Sequence, residues 1–160
     1  MADEIERKFL VRGDGWREAA DRGCLIEQAY LALTDAVSVR IRIRDAATAT
    51  LTIKSRAVAL RRQEYEFPIP VEKAGALMTL RTGSLIEKMR YKVPCGGLVW
   101  EIDVFQGANA GLVIAEIELE HEDQTFERPA WLGEEVTGVK RYYNASLALI
   151  PSVAAVAPKA

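Results

Sequence analysis

Acidic residues recur two positions apart in this chain: Glu4 and Glu6, Glu64 and Glu66, Glu101 and Asp103, then Glu116, Glu118 and Glu120. Basic residues do the same at Arg40, Arg42 and Arg44, at Lys54 and Arg56, and at Lys88, Arg90 and Lys92. On an extended strand such i, i+2 neighbours stand on one side, about 6.6–6.8 Å apart. An antiparallel sheet with one wet face alternates in a similar way. An ordinary wet face, however, is rich in Thr, Ser and Gln, whereas this one concentrates paired carboxylates and paired guanidinium groups. Arg and Lys carry donors matched to phosphate oxygens, Arg two at a time. Clustered carboxylates are hard-oxygen ligands for magnesium or manganese, ions that commonly share protein carboxylates with substrate phosphates. If the strands curl into a closed barrel with these faces inward, the lumen becomes a compartment for a metal-bound polyphosphate, and closure removes the exposed strand edges.

The elements that would position these groups follow from the same alternation. Ile5, Phe9 and Val11 oppose the first acidic pair; Val37, Val39, Ile41 and Ile43 oppose the arginines; Leu51 and Ile53 oppose Lys54. Tyr65, Phe67 and Ile69 oppose Glu64 and Glu66, Trp100, Ile102 and Val104 oppose Glu101 and Asp103, and Val113, Ala115, Ile117 and Leu119 oppose the last glutamates. With a plainer strand at Ala29 to Leu33, the period-two pattern predicts about eight strands. Short helices are expected at Gly15 to Arg22 and Val71 to Leu80. A C-terminal helix is expected over Thr137 to Leu149, with Thr137 as N-cap and Pro151 as its stop. The segment Gln124 to Trp131 reads as loop or short helix.

The remaining composition narrows the class. The chain has 160 residues, 49% hydrophobic and 28% charged, with a net charge of −2. That suits one domain, residues 1–150, with a flexible tail over 151–160. The near-neutral balance gives no global field to steer the protein onto nucleic acid or anionic lipid. The charged N-terminus has no signal-peptide h-region, and no apolar run approaches the roughly 20 residues of a membrane span. Cys24 and Cys95 are too few for a disulfide scaffold and suit a reducing cytoplasm. Phosphate-binding glycine loops of the G-x-x-x-x-G-K-[ST] and G-x-G-x-x-G types are missing, so phosphate recognition would rest on side chains. His121 is the single histidine and sits between two glutamates, where a solvated role is expected. Trp16, Trp100 and Trp131 read as core or cover, and Arg61-Arg62 as a solvated turn.

The order of these motifs resembles the CYTH superfamily, the triphosphate tunnel metalloenzymes. Glu4-Ile5-Glu6-Arg7-Lys8 matches the E-x-E-x-K signature, followed in order by Arg40-x-Arg42, Lys54, Glu64-x-Glu66, Lys88-x-Arg90, Asp103 and Glu116-x-Glu118. The resemblance implies a mostly β fold, a closed eight-stranded antiparallel tunnel with a few covering helices and a C-terminal plug helix, that hydrolyses a triphosphate with Mg²⁺ or Mn²⁺. It implies that Lys8, Arg40, Arg42, Lys54, Lys88 and Arg90 hold phosphates and that Tyr30 lines the site. It also implies that Lys140 or Arg141 reaches a terminal phosphate. Metal would fall to Glu4, Glu6, Glu116 and Glu118, with Glu64, Glu66 and Asp103 contributing; Glu4, Glu6, Lys8, Glu116 and Glu118 would carry the catalysis.

The likeness to small bacterial members favours inorganic tripolyphosphate as substrate, with nucleoside triphosphates as a side activity. An adenylate cyclase of the same fold, a thiamine triphosphatase and a non-catalytic polyphosphate-binding module are the alternatives. The expected partner is a small-molecule triphosphate rather than nucleic acid or membrane, and the expected assembly a cytoplasmic monomer or homodimer.

Overall fold

A computed structural model describes residues 2–56 and 61–149 of the chain, with side chains from residue 5 onward. The expected tail over 151–160 and the Pro151 stop lie outside the described residues.

Among the described residues nine strands form: β1 (Ala2–Val11), β2 (Cys24–Leu33), β3 (Val37–Arg44), β4 (Thr48–Ser55), β5 (Arg61–Ile69), β6 (Thr82–Cys95), β7 (Leu98–Gln106), β8 (Val113–Glu118) and β9 (Leu132–Glu135). Eight of them close an antiparallel barrel in the order β1-β5-β4-β3-β2-β6-β7-β8, returning to β1. Closure falls on β1. Its first residues, Ala2 to Ile5, pair with β5, and its other edge pairs with β8 through Glu6 to Leu10. Where β5 leaves that first edge, β9 takes it over at Phe9 and Val11. The mostly β closed tunnel expected from the sequence is thus present, with β9 as an addition that its four-residue length hid. β2 also starts five residues earlier than expected, because Ile26 and Glu27 continue the ladder to β3 and β6.

The charged phase points inward and the apolar phase outward, so the barrel is packed from outside. Phe9, Trp100, Ile102, Ala115 and Ile117 form one outer cluster, under Trp16 and against Phe126 and Trp131. Its aromatic rings meet edge to face, Phe9 on Trp100 at 5.5 Å and Trp131 on Trp100 at 5.6 Å between centroids, a geometry favoured by ring quadrupoles. The outer face of β2 to β5 is covered by α1 (Val71–Met78), whose Ala74 and Met78 pack on Ala29, Ile41 and Ala49. The segment 124–129 is loop, and Gly15–Ala19 is a single 3₁₀ turn that places Trp16.

A third cluster fills one end of the lumen itself. Tyr30, Ile86, Phe105 and Ile114 from the barrel pack against Tyr142, Leu147 and Ala148. The long C-terminal helix expected over Thr137 to Leu149 is instead a 3₁₀ turn, Lys140–Tyr142, followed by a short helix α2 (Asn144–Leu149). Thr137 does not cap it; its hydroxyl accepts from the Lys8 N–H and donates to Glu135. The break at Tyr143, extended at φ −72° and ψ 140°, lets Tyr142 enter the apolar end while Tyr143 turns to the lumen. No described helix is long and apolar enough to cross a membrane.

Candidate active site

Inside the barrel lies a cavity of about 490 Å³, within the usual range for a small-molecule site. Among the described residues, seven basic and six acidic side chains line it. They are segregated by strand. One wall is acidic: Glu6 on β1 faces Glu118 on β8, and Glu116 faces Glu101 on β7. The wall across the lumen is basic, with Arg40, Arg42 and Arg44 on β3 and Lys54 on β4. Between the two, β5 contributes Arg62, Glu64 and Glu66.

The ion pairing divides these groups into two sets. Lys8 lies 3.4 Å from Glu116, Lys54 3.7 Å from Glu64, and Arg90 3.4 Å from Glu101 and 3.7 Å from Glu116. By contrast Arg40, Arg42, Arg44 and Arg62 make no ion pair with any described carboxylate. Arg42 donates its Nε to Gln28 Oε1 at 2.8 Å, which fixes the guanidinium plane, and Arg40 donates to Thr52 at 3.4 Å while its own buried Nε finds no partner. Burial, with Arg40, Arg90 and Arg44 close by, lowers the pKa of Arg42 well below its ordinary value. A guanidinium does not give up its proton in a protein, so this cost is the energy an incoming anion would relieve. On the acidic wall the balance runs the other way. Burial opposes ionisation of Glu116, but Lys8, Arg90, Lys88 and Lys54 outweigh it and hold that carboxyl far below the usual range. Lys8 is buried too, yet Glu116 and Glu6 keep its pKa raised.

A family model, the CYTH domain, matches residues 2–146. The chain belongs to the CYTH domain family. It is 43% identical over 151 residues to an inorganic triphosphatase of Acetivibrio thermocellus, covering 94% of this chain and 96% of the relative. Identity to an inorganic triphosphatase of Nitrosomonas europaea is also 43%, covering 91% and 97% of the two chains. A solved inorganic triphosphatase structure superposes with a TM-score of 0.66 at 38% identity, over 91% of this chain and 97% of that one. A Hippeastrum putative adenylyl cyclase described as having dominant triphosphatase activity shares the fold, at a TM-score of 0.56 and 18% identity over 74% of this chain and 80% of its own.

Most residues singled out from sequence come together in this CYTH barrel. Glu6, Lys8, Tyr30, Arg40, Arg42, Lys54, Glu64, Glu66, Arg90, Glu116 and Glu118 all line the cavity. The Glu4 backbone pairs with Arg62; its side chain lies outside the described set. Three expectations need correction. Lys140 and Arg141 are exposed on the 3₁₀ turn, Arg141 donating to the Tyr142 hydroxyl at 2.9 Å, and neither lines the cavity. Asp103 is not on the cavity surface: it is fully buried, 2.7 Å from Lys88 Nζ and doubly bonded to Arg90 at 2.7 and 2.8 Å. Two cations engage both of its oxygens, and it lies behind the cavity wall rather than on it. Lys88 is likewise withdrawn, holding Asp103 and, at 2.9 Å, Asn144 Oδ1. Burial pushes its pKa down to about 7, because Asp103, also claimed by Arg90, only partly offsets it.

Sequence reasoning missed Arg62, Tyr143 and Asn144, which line the cavity together with Arg44 and Glu101. Arg62 was legible in principle. It shares the phase of Glu64 and Glu66, and only its neighbour Arg61 points to solvent.

The donor set decides whether a divalent ion fits. Among the described residues no group of three or more Asp, Glu, His and Cys side chains is drawn together tightly enough to hold a metal alone. Magnesium rarely needs such a cage; it is bound through one or two carboxylates plus substrate phosphates and water. Glu6 and Glu118, directly opposite across β1 and β8 with Glu116 alongside, fit that role, and manganese accepts the same oxygen donors.

Proposed function

We propose that this CYTH protein is a divalent-metal-dependent triphosphatase that cleaves inorganic tripolyphosphate to pyrophosphate and phosphate. The observation that carries the reading is the pair of facing walls: guanidinium groups without a described carboxylate partner on β3, and carboxylates on β1 and β8, around one lumen. Unpaired confined cations call for a polyanion, and the acidic wall is of use to that polyanion only through a bridging cation. The similarity to inorganic triphosphatases along nearly the whole chain supports the same reading.

Phosphoryl transfer asks a protein chiefly for positioning and charge neutralisation. Arg40 and Arg42 would grip phosphate oxygens, held in aim by Thr52 and Gln28, and so stabilise charge developing on the leaving pyrophosphate. Glu6 and Glu118 would hold Mg²⁺ or Mn²⁺, which when bound neutralises phosphate oxygens and polarises the phosphorus for attack. Glu116 is held strongly ionised by the cations around it, which makes it an anchor for Lys8 and Arg90 and a poor proton acceptor. The proton of the attacking water would go to a glutamate of the lining that is not assigned to the metal, Glu64 or Glu66. The chemistry requires no nucleophilic side chain, and His121 lies exposed outside the lumen.

The test is phosphate release from tripolyphosphate by the purified protein with Mg²⁺ or Mn²⁺, against chelator and against Arg42→Ala. Turnover that needs metal and falls at least tenfold in kcat/KM in the variant is the expected result. Absence of metal-dependent release, or an Arg42→Ala variant with unchanged kinetics, would overturn it. Running ATP, thiamine triphosphate and pyrophosphate in parallel, with cyclic AMP as a second readout, separates this substrate from its neighbours.

A further inference from the structure

The lumen's cations have two kinds of cross-strand neighbour. Lys8 faces Glu116 across β1 and β8, Lys54 faces Glu64 across β4 and β5, and Arg90 faces Asp103 across β6 and β7. The three arginines of β3 are framed differently. On β2 their register partners are Ile26, Gln28 and Tyr30, and on β4 they are Thr48, Thr50 and Thr52. All six are uncharged. Opposite charges set directly across a sheet stabilise it, so the β3 arginines forgo a stabilisation that the lumen's other cations have.

What the frame supplies instead is neutral oxygen. Gln28 Oε1 accepts from Arg42 Nε at 2.8 Å, Thr52 Oγ1 from Arg40 Nη2 at 3.4 Å, and Thr50 Oγ1 from Arg44 Nη1 at 3.3 Å. Gln28 is fully buried, and its own Nε2 meets no acceptor among the described residues. A stranded buried donor costs stability. A glutamate of nearly the same shape would give Arg42 a charged partner and strand no amide hydrogen. At this position the amide is therefore the less stable choice, and its neutrality is what distinguishes it.

We propose that Gln28 is a positioning residue for substrate binding: with Thr50 and Thr52 it aims the β3 arginines while leaving their charge uncompensated, so that a polyanion in the lumen, and not a carboxylate of the protein, neutralises them. Given the triphosphate site proposed above, affinity is then set by what stands behind the arginines as well as by the arginines themselves. A carboxylate in the frame would act as an internal competitor for the substrate, stabilising the empty protein and weakening the complex.

Urea unfolding of the free protein and calorimetry of tripolyphosphate with Mg²⁺ test this without relying on turnover. Gln28→Glu is expected to unfold at a urea concentration no lower than wild type, yet to bind tripolyphosphate on the order of tenfold or more weakly, the loss of a charge-assisted contact. Gln28→Met, which loses the hydrogen bond but adds no charge, should unfold more readily and lose affinity only severalfold. Leu80→Glu adds the same charge at a side chain that is 70% exposed and should bind as wild type does. Opposite movements of stability and affinity in Gln28→Glu are the signature, since general damage to the fold lowers both. A folded Gln28→Glu variant with wild-type affinity, or one that loses no more than Gln28→Met, overturns the proposal. Should Gln28→Glu not fold, Thr50→Glu, opposite Arg42 on its other side, decides by the same criteria. A protein whose variants behave as expected but which releases no phosphate keeps the neutral frame and refutes the triphosphatase; phosphate release with an indifferent Gln28→Glu refutes only the frame.

Discussion

Asp103→Asn separates the two roles that an acid at this position could play. A metal ligand, crowded by other carboxylates, would cost function and leave the fold intact or relieved of repulsion. The observed Asp103 is fully buried between Lys88 at 2.7 Å and the Arg90 fork at 2.7 and 2.8 Å. Neutralising it strands two buried cations. Removing one partner of a buried ion pair typically costs about 3–5 kcal/mol. Arg90 retains Glu101 at 3.4 Å and Glu116 at 3.7 Å, and Lys88 keeps the Asn144 side-chain oxygen and the Phe105 ring at 5.4 Å but no carboxylate among these contacts, so the lower part of that range, about 3 kcal/mol, is expected. For a domain of this size each kcal/mol moves Tm by about 2–4 °C, giving a fall of roughly 6–12 °C. The assay is urea and thermal unfolding at pH 7 followed by circular dichroism. Adding Lys88→Gln should restore part of the loss, since the double variant no longer buries an unpaired ammonium. A single variant within about 1 kcal/mol of wild type, or a double variant whose losses simply add, would refute the buried-triad account.

Two further outcomes follow from the same structure. Gly83 sits at φ 72°, and a Cβ there would lie 2.5 Å from the Ala148 carbonyl oxygen, so Gly83→Ala should destabilise by about 1–3 kcal/mol and loosen α2; unchanged urea unfolding would contradict that contact. Asp103 and Glu116 are held below the ordinary carboxylate range, where burial opposes but the neighbouring cations prevail. Because their folded values are depressed, their contribution is complete above an unfolded value of about 4 and is lost as pH falls toward the folded ones. Stability measured by urea titration should therefore decline below about pH 4, and Glu116→Gln should flatten that decline.

How much of this was legible beforehand depended on the range over which each feature is determined. Side-chain alternation is a property of the extended backbone itself, so the inward phase of Arg40, Arg42, Glu64, Glu66, Glu116 and Glu118 could be read two residues at a time. So could the β6–β7 hairpin, where Gly96 and Gly97 supply the φ values of 59° and 80° that a tight turn requires. The ordered series of charged pairs pointed to a lumen and to its ligand chemistry, and the barrel bears out the closed fold.

Depth within the lumen could not be read that way, because it depends on how strands from distant parts of the chain are staggered when the barrel closes. Asp103 and Glu101 share a strand and a phase, yet the first meets Lys88 and Arg90 in the interior and the second reaches the cavity. The same closure brings Arg62 beside β1 and leaves Lys140 and Arg141 outside. The break at Tyr143 was equally hidden, since local propensity favours one continuous helix and only the apolar end of the barrel, by taking up Tyr142 and Leu147, makes the interrupted path the better buried one. Sequence alone determined which phase of each strand carries the charged side chains; tertiary packing decided which of them neutralise one another and which face the cavity, since charges interact through space and not along the chain.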